Sequence, residues 1–352
     1  MSEFKLTTVE EFEAATERLL ETGAKVGADA WQFRVKNQTP HCKFGEMGVC
    51  CRICSMGPCR ITPKAPRGIC GCDAHGIVGR NFLRFTAGGA ATHSDHGREI
   101  CITLGHAKEG GDYQVKDPEK LIRIAKEWGV ETEGKDIYDL AHEMSDLAQE
   151  EYGKIRGVSR WLKRAPQHTQ DLWHAAGIEP RAIDREVSCA LHMTHMGNTS
   201  KPEALIRQAL RNGLSDGWGG SMCGTEFSDV LFGTPKPIET EANLGVMNAE
   251  NVNIVVHGHD PSLSEMICEV ADSKEMIDYA KSMGAKGITI SGVCCTSNEV
   301  AMRRGIPMAG NFLQQENVVL TGACEAIVVD VQCIFPASVS YTHLTLPTTP
   351  YV

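Results

Sequence analysis

Residues 253–259 read Asn-Ile-Val-Val-His-Gly-His, and this stretch indicates the fold of the second half of the chain. Its β-branched run, Asn253–Val256, is typical of a short buried strand. Similar runs follow at Lys286–Ile290 and Ala326–Val331, and helical patterns lie between them. Strands that alternate with helices form a parallel sheet with right-handed crossovers. The sequence therefore predicts a Rossmann-like α/β domain over residues 246–337.

Helical patterns account for most of the remaining chain. Within the α/β domain they predict a helix at Ser262–Gly284, capped by Ser262, and another at about Ser297–Arg304. Residues 1–245 are predicted to form a helical domain, in which Asp117 caps one of the helices. The exception is residues 41–75, which are rich in Cys, Gly and Pro and need something other than a hydrophobic core to hold them. The expected fold class is thus α plus α/β.

Composition and charge narrow the kinds of function. The chain has 352 residues, 42% of them hydrophobic, and a formal net charge of −10. This acidic balance argues against a nucleic-acid partner, which would require a cationic surface. No apolar run is long enough to span a bilayer, and the polar N-terminus is not a secretory signal. We therefore expect a cytoplasmic protein.

The fifteen cysteines point to metal ligation, because disulfides are rare in a reducing cytosol. Seven of them crowd into one stretch: Cys42, Cys50, Cys51, Cys54, Cys59, Cys70 and Cys72. The inner set Cys51, Cys54, Cys59 and Cys70 suffices for one [4Fe–4S] cluster or one structural zinc. One zinc would not use six or seven thiolates, so iron–sulfur is the favoured interpretation. The adjacent pair Cys50-Cys51 suits two separate centres.

A second constellation follows the ends of the predicted parallel strands. The first strand runs into His257 and His259, the second into Cys294 and Cys295, and the third into Cys333. Loops at the carboxyl edge of such a sheet are where ligands bind. Singly, each residue would more often be a packing residue. Their occurrence at three consecutive strand ends favours a metal site.

The helical half adds His93 and His96, which share a face one turn apart if that segment is helical. Surface solvation is the simpler interpretation of these residues. Proton transfer is the functional one, because imidazole titrates near neutral pH.

Taken in order and spacing, these motifs resemble the catalytic subunits of anaerobic nickel–iron carbon monoxide dehydrogenases over about Met1–Ala337. The matching stretches are Cys42-Lys-Phe-Gly-Glu-Met-Gly-Val-Cys50-Cys51-Arg-Ile-Cys54-Ser-Met-Gly-Pro-Cys59-Arg60, Gly68-Ile-Cys70-Gly71, His93-Ser-Asp-His96-Gly-Arg98, Asp216-Gly-Trp-Gly-Gly-Ser-Met222, His257-Gly-His259, Gly292-Val-Cys294-Cys295-Thr296 and Asp330-Val-Gln-Cys333-Ile334.

The resemblance implies reversible oxidation of CO with water to CO2, with electrons leaving through [4Fe–4S] clusters to ferredoxin or a similar acceptor. It implies a homodimer that shares a cluster D, and it leaves open whether the enzyme works alone, with a hydrogenase or with acetyl-CoA synthase. The implied ligands are Cys42 and Cys50 for cluster D; Cys51, Cys54, Cys59 and Cys70 for cluster B; and His259, Cys295 and Cys333 for the nickel–iron–sulfur cluster C. Cys72 is an alternative to Cys70, His257 to His259, and Cys294 to Cys295.

The resemblance also implies that His93 acts as general acid–base and that Asp216 orients the site. The family's last α/β domain, with three more cluster C cysteines and a lysine, is expected to be missing. We therefore expect a truncated catalytic subunit that is inactive by itself. Residues 338–352 continue neither helix nor strand pattern and are expected to be a non-native tail.

Two other functions stay open at this point. A hybrid-cluster protein of the hydroxylamine reductase type is related, but its N-terminal cysteines lack the doubled Cys50-Cys51 with an upstream Cys42. A non-catalytic electron-transfer or zinc-scaffold protein would use only the first cysteine cluster. Nickel content and CO oxidation separate the three.

Overall fold

The computed structural model of the protein describes residues 9–196 and 198–340, apart from the side chains of Phe12, Val339 and Ser340. Its contacts divide the chain into two compact units. The helical unit comprises residues 40–234. The sheet unit combines the chain up to Thr39 with the chain from Pro235 onward. This division differs from the expected one in two ways. The N-terminal helices belong with the sheet and not with the helical unit, and the later boundary follows Thr234 instead of residue 245.

The described helices are α1 Val9–Lys25, α2 Trp31–Asn37, α3 Lys43–Glu46, α4 Ala74–Gly105, α5 Pro118–Trp128, α6 Ile137–Gly153, α7 Gln167–Ala176, α8 Ile183–Thr194, α9 Pro202–Leu214, α10 Met222–Phe232, α11 Pro261–Ala271, α12 Lys274–Ser282, α13 Cys294–Arg304, α14 Gln315–Leu320 and α15 Ala337–Ser340. Short 3-10 turns occupy Arg160–Arg164, Leu244–Val246 and Phe312–Gln314, and a π-helical segment occupies Ser215–Ser221. The strands are β1 Cys50–Cys51, β2 Cys59–Arg60, β3 Val252–Gly258, β4 Ile288–Val293, β5 Met308–Gly310 and β6 Ala326–Val329.

Helix α4 is the axis of the helical unit. It begins at Asp73, whose side chain accepts a hydrogen bond from Gly76 N at 2.9 Å, and it packs against α6, α8, α9 and α10. The core beside it contains Trp161, which meets Trp128 and Phe227 edge-on at centroid distances of 4.9 and 5.4 Å. Burying each such side chain stabilises the fold by roughly 1.5–3 kcal/mol. Asp117 caps α5 as predicted, by accepting from Lys120 N.

The sheet unit contains the predicted parallel sheet, with strand order β5-β4-β3-β6. Neighbouring residues of β3 face opposite sides: Val255 joins a hydrophobic cluster with Val293 and Val318, whereas Val256 joins one with Cys268 and Val300. Both faces are therefore covered, and this explains why β3 is a continuous β-branched run instead of an alternating one. The edge strand β5 was not predicted, because three residues give too short a pattern.

Two predicted features of this unit are wrong in detail. The segment Ser262–Gly284 is not one helix but two, α11 and α12, with a break at Ser273. Ser273 caps α12 by accepting from Met276 N at 3.3 Å, and a serine that binds backbone in this way favours a helix start over a helix interior. The cap of α11 is Asp260, which accepts from Ser262 N at 2.8 Å, and not Ser262.

The N-terminal helices pack on α14. Leu19, Ala28 and Ala30 form a buried cluster with Leu320. Trp31 N and Arg34 both donate to Glu316, a carboxylate with no exposed surface. Ser338, the first residue of the expected non-native tail, is also buried in this unit; residues 341–352 of that tail lie outside the described residues. Among the residues that the structure describes, no helix is long and apolar enough to cross a membrane.

Candidate metal centres

The first candidate centre is a pocket in the helical unit that we call the four-cysteine pocket. Cys51, Cys54, Cys59 and Cys70, which form the inner set of the cysteine cluster, all line it. The remaining wall is mainly apolar, with Ile53, Ile69, Ile77 and Met196. Apolar walls lower the local dielectric, which strengthens every charged interaction inside. These residues are therefore gathered as cluster ligands would have to be.

Hydrogen-bond donors point at the sulfurs of this pocket. Ile69 N donates to Cys59 Sγ at 3.4 Å, and Arg80 Nη1 donates to Cys70 Sγ at 3.5 Å. Arg80 itself is buried and is held by the Thr199 carbonyl, to which its Nε and Nη2 donate at 2.9 and 2.7 Å. Donors to sulfur favour thiolates over thiols and tune a cluster's reduction potential. Arg80 is a site residue that sequence reasoning missed. It lies on α4, 10 positions after Cys70, and the spacing alone does not show that its side chain reaches the sulfur.

The neighbouring residues Cys50 and Cys51 line two different hollows. Cys51 is buried and lines the four-cysteine pocket, whereas Cys50 lines a separate, open hollow with Arg52 and Arg84. Strand β1 causes this split, because successive side chains of a strand point to opposite faces. Its antiparallel partner β2 pairs Cys51 with Cys59.

Cys42 and Cys72 lie elsewhere. Cys42 is exposed ahead of α3 and does not belong to the lining of either hollow. Cys72 is 1% exposed and faces α4, where its Sγ would lie 2.5 Å from a Cβ at Gly76. Burial raises the pKa of the Cys72 thiol. Of the two alternatives for the fourth ligand, the geometry favours Cys70.

His93 and Asp216 form a hydrogen-bonded pair in the helical unit. His93 Nδ1 contacts Asp216 Oδ1, and each side chain is about a quarter exposed. Asp216 lies in the π-helical segment between α9 and α10, a distortion that is common at functional sites. Gly220 of the same segment packs directly on His93: a Cβ there would lie 2.8 Å from the His93 Cβ. The segment thus brings its backbone against α4.

The second candidate centre lies at the carboxyl edge of the sheet. The thiols of Cys294 and Cys333 are within hydrogen-bond reach of each other. Burial, followed by the neighbouring Cys333, raises the pKa of Cys295. Desolvation, followed by these neighbouring thiols, raises the pKa of Cys294 to about 12. The three predicted cysteines therefore converge, and their sulfurs require deprotonation before they bind metal.

The backbone at these cysteines is unusual. Among the described residues, the non-glycine residues with positive φ are Cys294, Gln332 and Cys333, with φ of 67°, 69° and 57°. Each costs roughly 1–2 kcal/mol relative to an ordinary conformation. Strain of this kind persists where surrounding contacts enforce it, and it clusters at functional sites.

The two candidate histidines have different surroundings. His259 Nδ1 lies 3.2 Å from the Val331 carbonyl, which can only accept, so a neutral ring carries its proton on Nδ1 and its lone pair on Nε2. That arrangement is typical of a metal-ligating histidine. His257 is fully buried, and its Nε2 lies 3.2 Å from Gln315 Oε1. Burial lowers the pKa of His257. The geometry favours His259 as the ligand.

Asp330 joins these loops, and sequence reasoning assigned it no role. Its Oδ1 accepts from His259 N at 2.5 Å and also from Val331 N. Burial, opposed by these hydrogen bonds, raises the pKa of Asp330 to about 6. Its place directly after β6 was the available signal, since a polar residue at a strand's carboxyl end is well placed to bind the neighbouring strand's loop.

Within residues 9–196 and 198–340, no group of three or more His, Cys, Asp or Glu side chains stands close enough to hold one metal ion.

Comparison with known proteins identifies the family. Residues 49–350 match the Prismane/CO dehydrogenase family, a range that includes most of the expected non-native tail. The chain is 48% identical over 328 residues to carbon monoxide dehydrogenase 1 of Methanosarcina mazei, covering 92% of this chain and 52% of that relative. It is 42% identical over 308 residues to the carbon monoxide dehydrogenase/acetyl-CoA synthase subunit beta of Moorella thermoacetica, covering 85% and 45%.

Solved structures show the same similarity. The Ni-free carbon monoxide dehydrogenase from Thermococcus sp. AM4 superposes with a TM-score of 0.88 at 48% identity, over 92% of this chain and 52% of that one. Carbon monoxide dehydrogenase IV from Carboxydothermus hydrogenoformans gives 0.86 at 41%, over 92% and 52%. The chain spans about half the length of these relatives. Their names disfavour the hybrid-cluster alternative. The chain belongs to the prismane/CO dehydrogenase family.

Proposed function

We propose that this chain is part of an anaerobic carbon monoxide dehydrogenase, which converts CO and H2O to CO2, two protons and two electrons, reversibly. The observation that carries the proposal is that His259, Cys295 and Cys333 all follow the carboxyl ends of neighbouring parallel strands, in a chain 48% identical to a protein of that name. Edges of this kind are the usual ligand sites of parallel sheets.

The four-cysteine pocket would hold a [4Fe–4S] cluster on Cys51, Cys54, Cys59 and Cys70. The donor set fits this group, because the sulfurs line one apolar pocket and receive hydrogen bonds from Ile69 and Arg80. Cys42 and Cys50 would hold a further cluster jointly with a second copy of the chain. The exposure of Cys42 and the open hollow at Cys50 support a shared site, which a single protomer does not enclose.

At the sheet edge, His259, Cys295 and Cys333 would contribute to a nickel–iron–sulfur cluster, with Cys294 as the alternative to Cys295. When bound, that cluster supplies Lewis-acid activation of CO and water and takes up the two electrons. The chain's own contribution is to orient the ligands: Asp330 fixes the His259 backbone, and the Val331 carbonyl fixes the ring of His259.

The reaction releases two protons, and we assign their transfer to His93. Imidazole is the most common general acid–base in enzymes, and the contact of His93 with Asp216 would hold the Nδ1–H tautomer. Electrons would leave through the [4Fe–4S] clusters to ferredoxin or a similar acceptor, in the cytoplasm. Acetyl-CoA synthase or a hydrogenase would be the further partner.

Iron and acid-labile sulfide analysis tests the first centre. After anaerobic reconstitution, Cys70→Ser should lose the iron of the four-cysteine pocket, whereas Cys72→Ser should keep it, because Cys72 faces α4. The two cysteines are neighbours in sequence, so each variant is the control for the other. Equal iron loss, or zinc in place of iron in the unmodified chain, contradicts the assignment.

CO-dependent reduction of a viologen dye tests the activity. It should be measured anaerobically on this chain and on any longer product of the same gene. In an active product, His93→Ala should slow turnover by roughly a hundredfold, the usual scale for a lost general acid–base, while metal content stays unchanged. A longer product that binds nickel and iron but shows no CO oxidation would refute the proposed function.

A further inference from the structure

Gln315, the first residue of α14, is a fully buried amide that uses all of its hydrogen-bonding capacity. Its Nε2 donates to the Phe312 carbonyl at 2.6 Å and to the Cys333 carbonyl at 3.0 Å. Its Oε1 accepts from Phe335 N at 2.7 Å and also contacts Ser338 Oγ and His257 Nε2. Backbone carbonyls accept and a backbone N–H donates, so the orientation of this amide is fixed.

These bonds hold the loop that carries Cys333 at the carbonyl of the cysteine itself and at Phe335, two residues later. Gln332 and Cys333 both have positive φ, a conformation that the surroundings must enforce. The bonds from Gln315 to the carbonyl of Cys333 and from Phe335 to Gln315 are contacts able to do so, and both are shielded from water. Without them, an ordinary extended conformation becomes accessible, and the thiol moves away from Cys294 and Cys295.

The side-chain amide of Gln315 also contacts the ring of His257. The Nε2 of His257 lies 3.2 Å from Gln315 Oε1, the nearer of the two acceptors that the ring faces. Nδ1 faces the Val293 carbonyl at 3.4 Å. The ring is thus part of the scaffold beneath the site, whereas the neighbouring His259 is oriented by the Val331 carbonyl.

We propose that Gln315 is a positioning residue of the sheet-edge metal site, which fixes the Cys333 loop and holds His257 away from ligation. The proposal rests on the proposed function for its metal. Glu316 strengthens the arrangement from the other side, because its contacts with Trp31 and Arg34 anchor the helix from which Gln315 projects.

Hydrogen exchange in the metal-free 352-residue chain, read at the amide of Phe335, tests the positioning directly. Gln315→Met keeps the shape of the side chain but removes every hydrogen bond, and should accelerate this exchange by about fivefold, as for one lost hydrogen bond. Gln315→Glu keeps the acceptor, and burial favours its protonated form, which donates one hydrogen bond, so it should restore protection at Phe335 in part. The matched control is Asn317→Leu, which removes a buried amide of the same helix that binds Gln32.

The outcomes separate positioning from general stability. Selectively faster exchange at Phe335 in Gln315→Met, with partial rescue by Gln315→Glu and no change in Asn317→Leu, supports the proposal. So does, in a longer product of the same gene, a loss of retained nickel in Gln315→Met but not in Asn317→Leu after anaerobic reconstitution. Equal effects of both substitutions, or unchanged exchange in Gln315→Met, overturn it. Failure of the unmodified longer product to retain nickel would count against the proposed function, whereas the exchange data stand independently of nickel.

Discussion

Gly258 lies between the two candidate histidines, and its lack of a side chain allows Asp330 to approach the backbone at the sheet edge. Its φ is 140°, and a Cβ there would fall 1.8 Å from Asp330 Oδ1. That oxygen accepts from His259 N, so the carboxylate needs the space which a side chain would fill. Close approach of a polar group to backbone is a frequent reason for glycine in a strand.

Gly258→Ala should therefore destabilise the sheet unit by at least about 3 kcal/mol, since overpacking is added to backbone strain. Gly284→Ala is the matched control, because Gly284 also has positive φ, 103°, but no atom within 4 Å of its Cβ position. It should cost about 1–2 kcal/mol. Chemical denaturation of the two variants measures both values. Equal losses would show that the contact with Asp330 relaxes without cost.

Glu186 in the helical unit makes folding stability depend on pH. It is fully buried and accepts from Arg181 N, Nε and Nη2 and from Gln208 Nε2 at 2.8–3.0 Å. Burial raises the pKa of Glu186, but these hydrogen bonds outweigh it and the net pKa lies below 4.5. The stabilisation is therefore complete above pH 4.5 and is lost as the pH falls through the lower pKa of the folded state.

Glu186→Gln should lower the free energy of unfolding by about 2 kcal/mol at pH 7, the scale of hydrogen bonds to a charged group. It should also flatten the decline of stability below pH 4.5. Urea unfolding at a series of pH values checks both effects. Glu150→Gln, at an exposed carboxylate of α6, is the control and should leave the pH profile unchanged. A wild-type slope in Glu186→Gln would mean that other groups set the acid sensitivity.

Helices α9 and α10 form one continuous rod through the π-helical segment Ser215–Ser221. The wider turn places Asp216 opposite His93 and lets the backbone at Gly220 touch α4. An uninterrupted α-helical register would rotate these residues relative to α4. The geometry of the pair thus depends on this segment as much as on the two residues.

Two glycines of this segment allow a matched test. Gly220→Ala should cost about 2 kcal/mol or more through overpacking, because its Cβ would lie 2.8 Å from His93 Cβ and from the His93 carbonyl. Gly217→Ala meets nothing within 4 Å and should be neutral, or stabilising by up to about 1 kcal/mol through helix propensity. Thermal unfolding of both variants checks the contrast. Similar unfolding temperatures of the two variants would show that α4 and the π-helical segment can move apart at little cost in stability.

The two units differ in how many stretches of the chain they contain. The helical unit is one continuous stretch, residues 40–234, whereas the sheet unit combines two stretches that are distant in sequence. Removing the N-terminal stretch would expose Leu320 and leave the buried carboxylate of Glu316 without Trp31 and Arg34. An unpaired buried charge is costly.

A fragment of residues 40–234 should therefore fold alone and bind iron and sulfide after anaerobic reconstitution, because it contains the whole four-cysteine pocket and its helical core. A fragment of residues 235–340 should be poorly soluble without residues 9–39. Circular dichroism, sedimentation and iron analysis of both fragments check this. A well-folded sheet fragment that lacks α1 and α2 would contradict the role given to Glu316.

The sequence alone determined much of this protein. Three β-branched runs with intervening helices predicted the parallel sheet, because strand and helix patterns are local. The cysteine spacing singled out Cys51, Cys54, Cys59 and Cys70 as candidate ligands. The strand ends singled out His257, His259, Cys294, Cys295 and Cys333, and the choice of His259, Cys295 and Cys333 among them followed from the family resemblance. These predictions rest on residues near each other in sequence, or on the rule that parallel strands share a carboxyl edge.

Long-range contacts decided the rest, and a single sequence gives no local signal for them. Arg80, Asp330 and Gln315 act through hydrogen bonds that exist only once the elements have packed. The assignment of residues 9–39 to the sheet unit depends on contacts with α14 across about 280 residues, such as Trp31 with Glu316 at a separation of 285. The preference for Cys70 over Cys72 likewise follows from which side chain α4 buries, since burial is a property of the packed molecule and not of spacing.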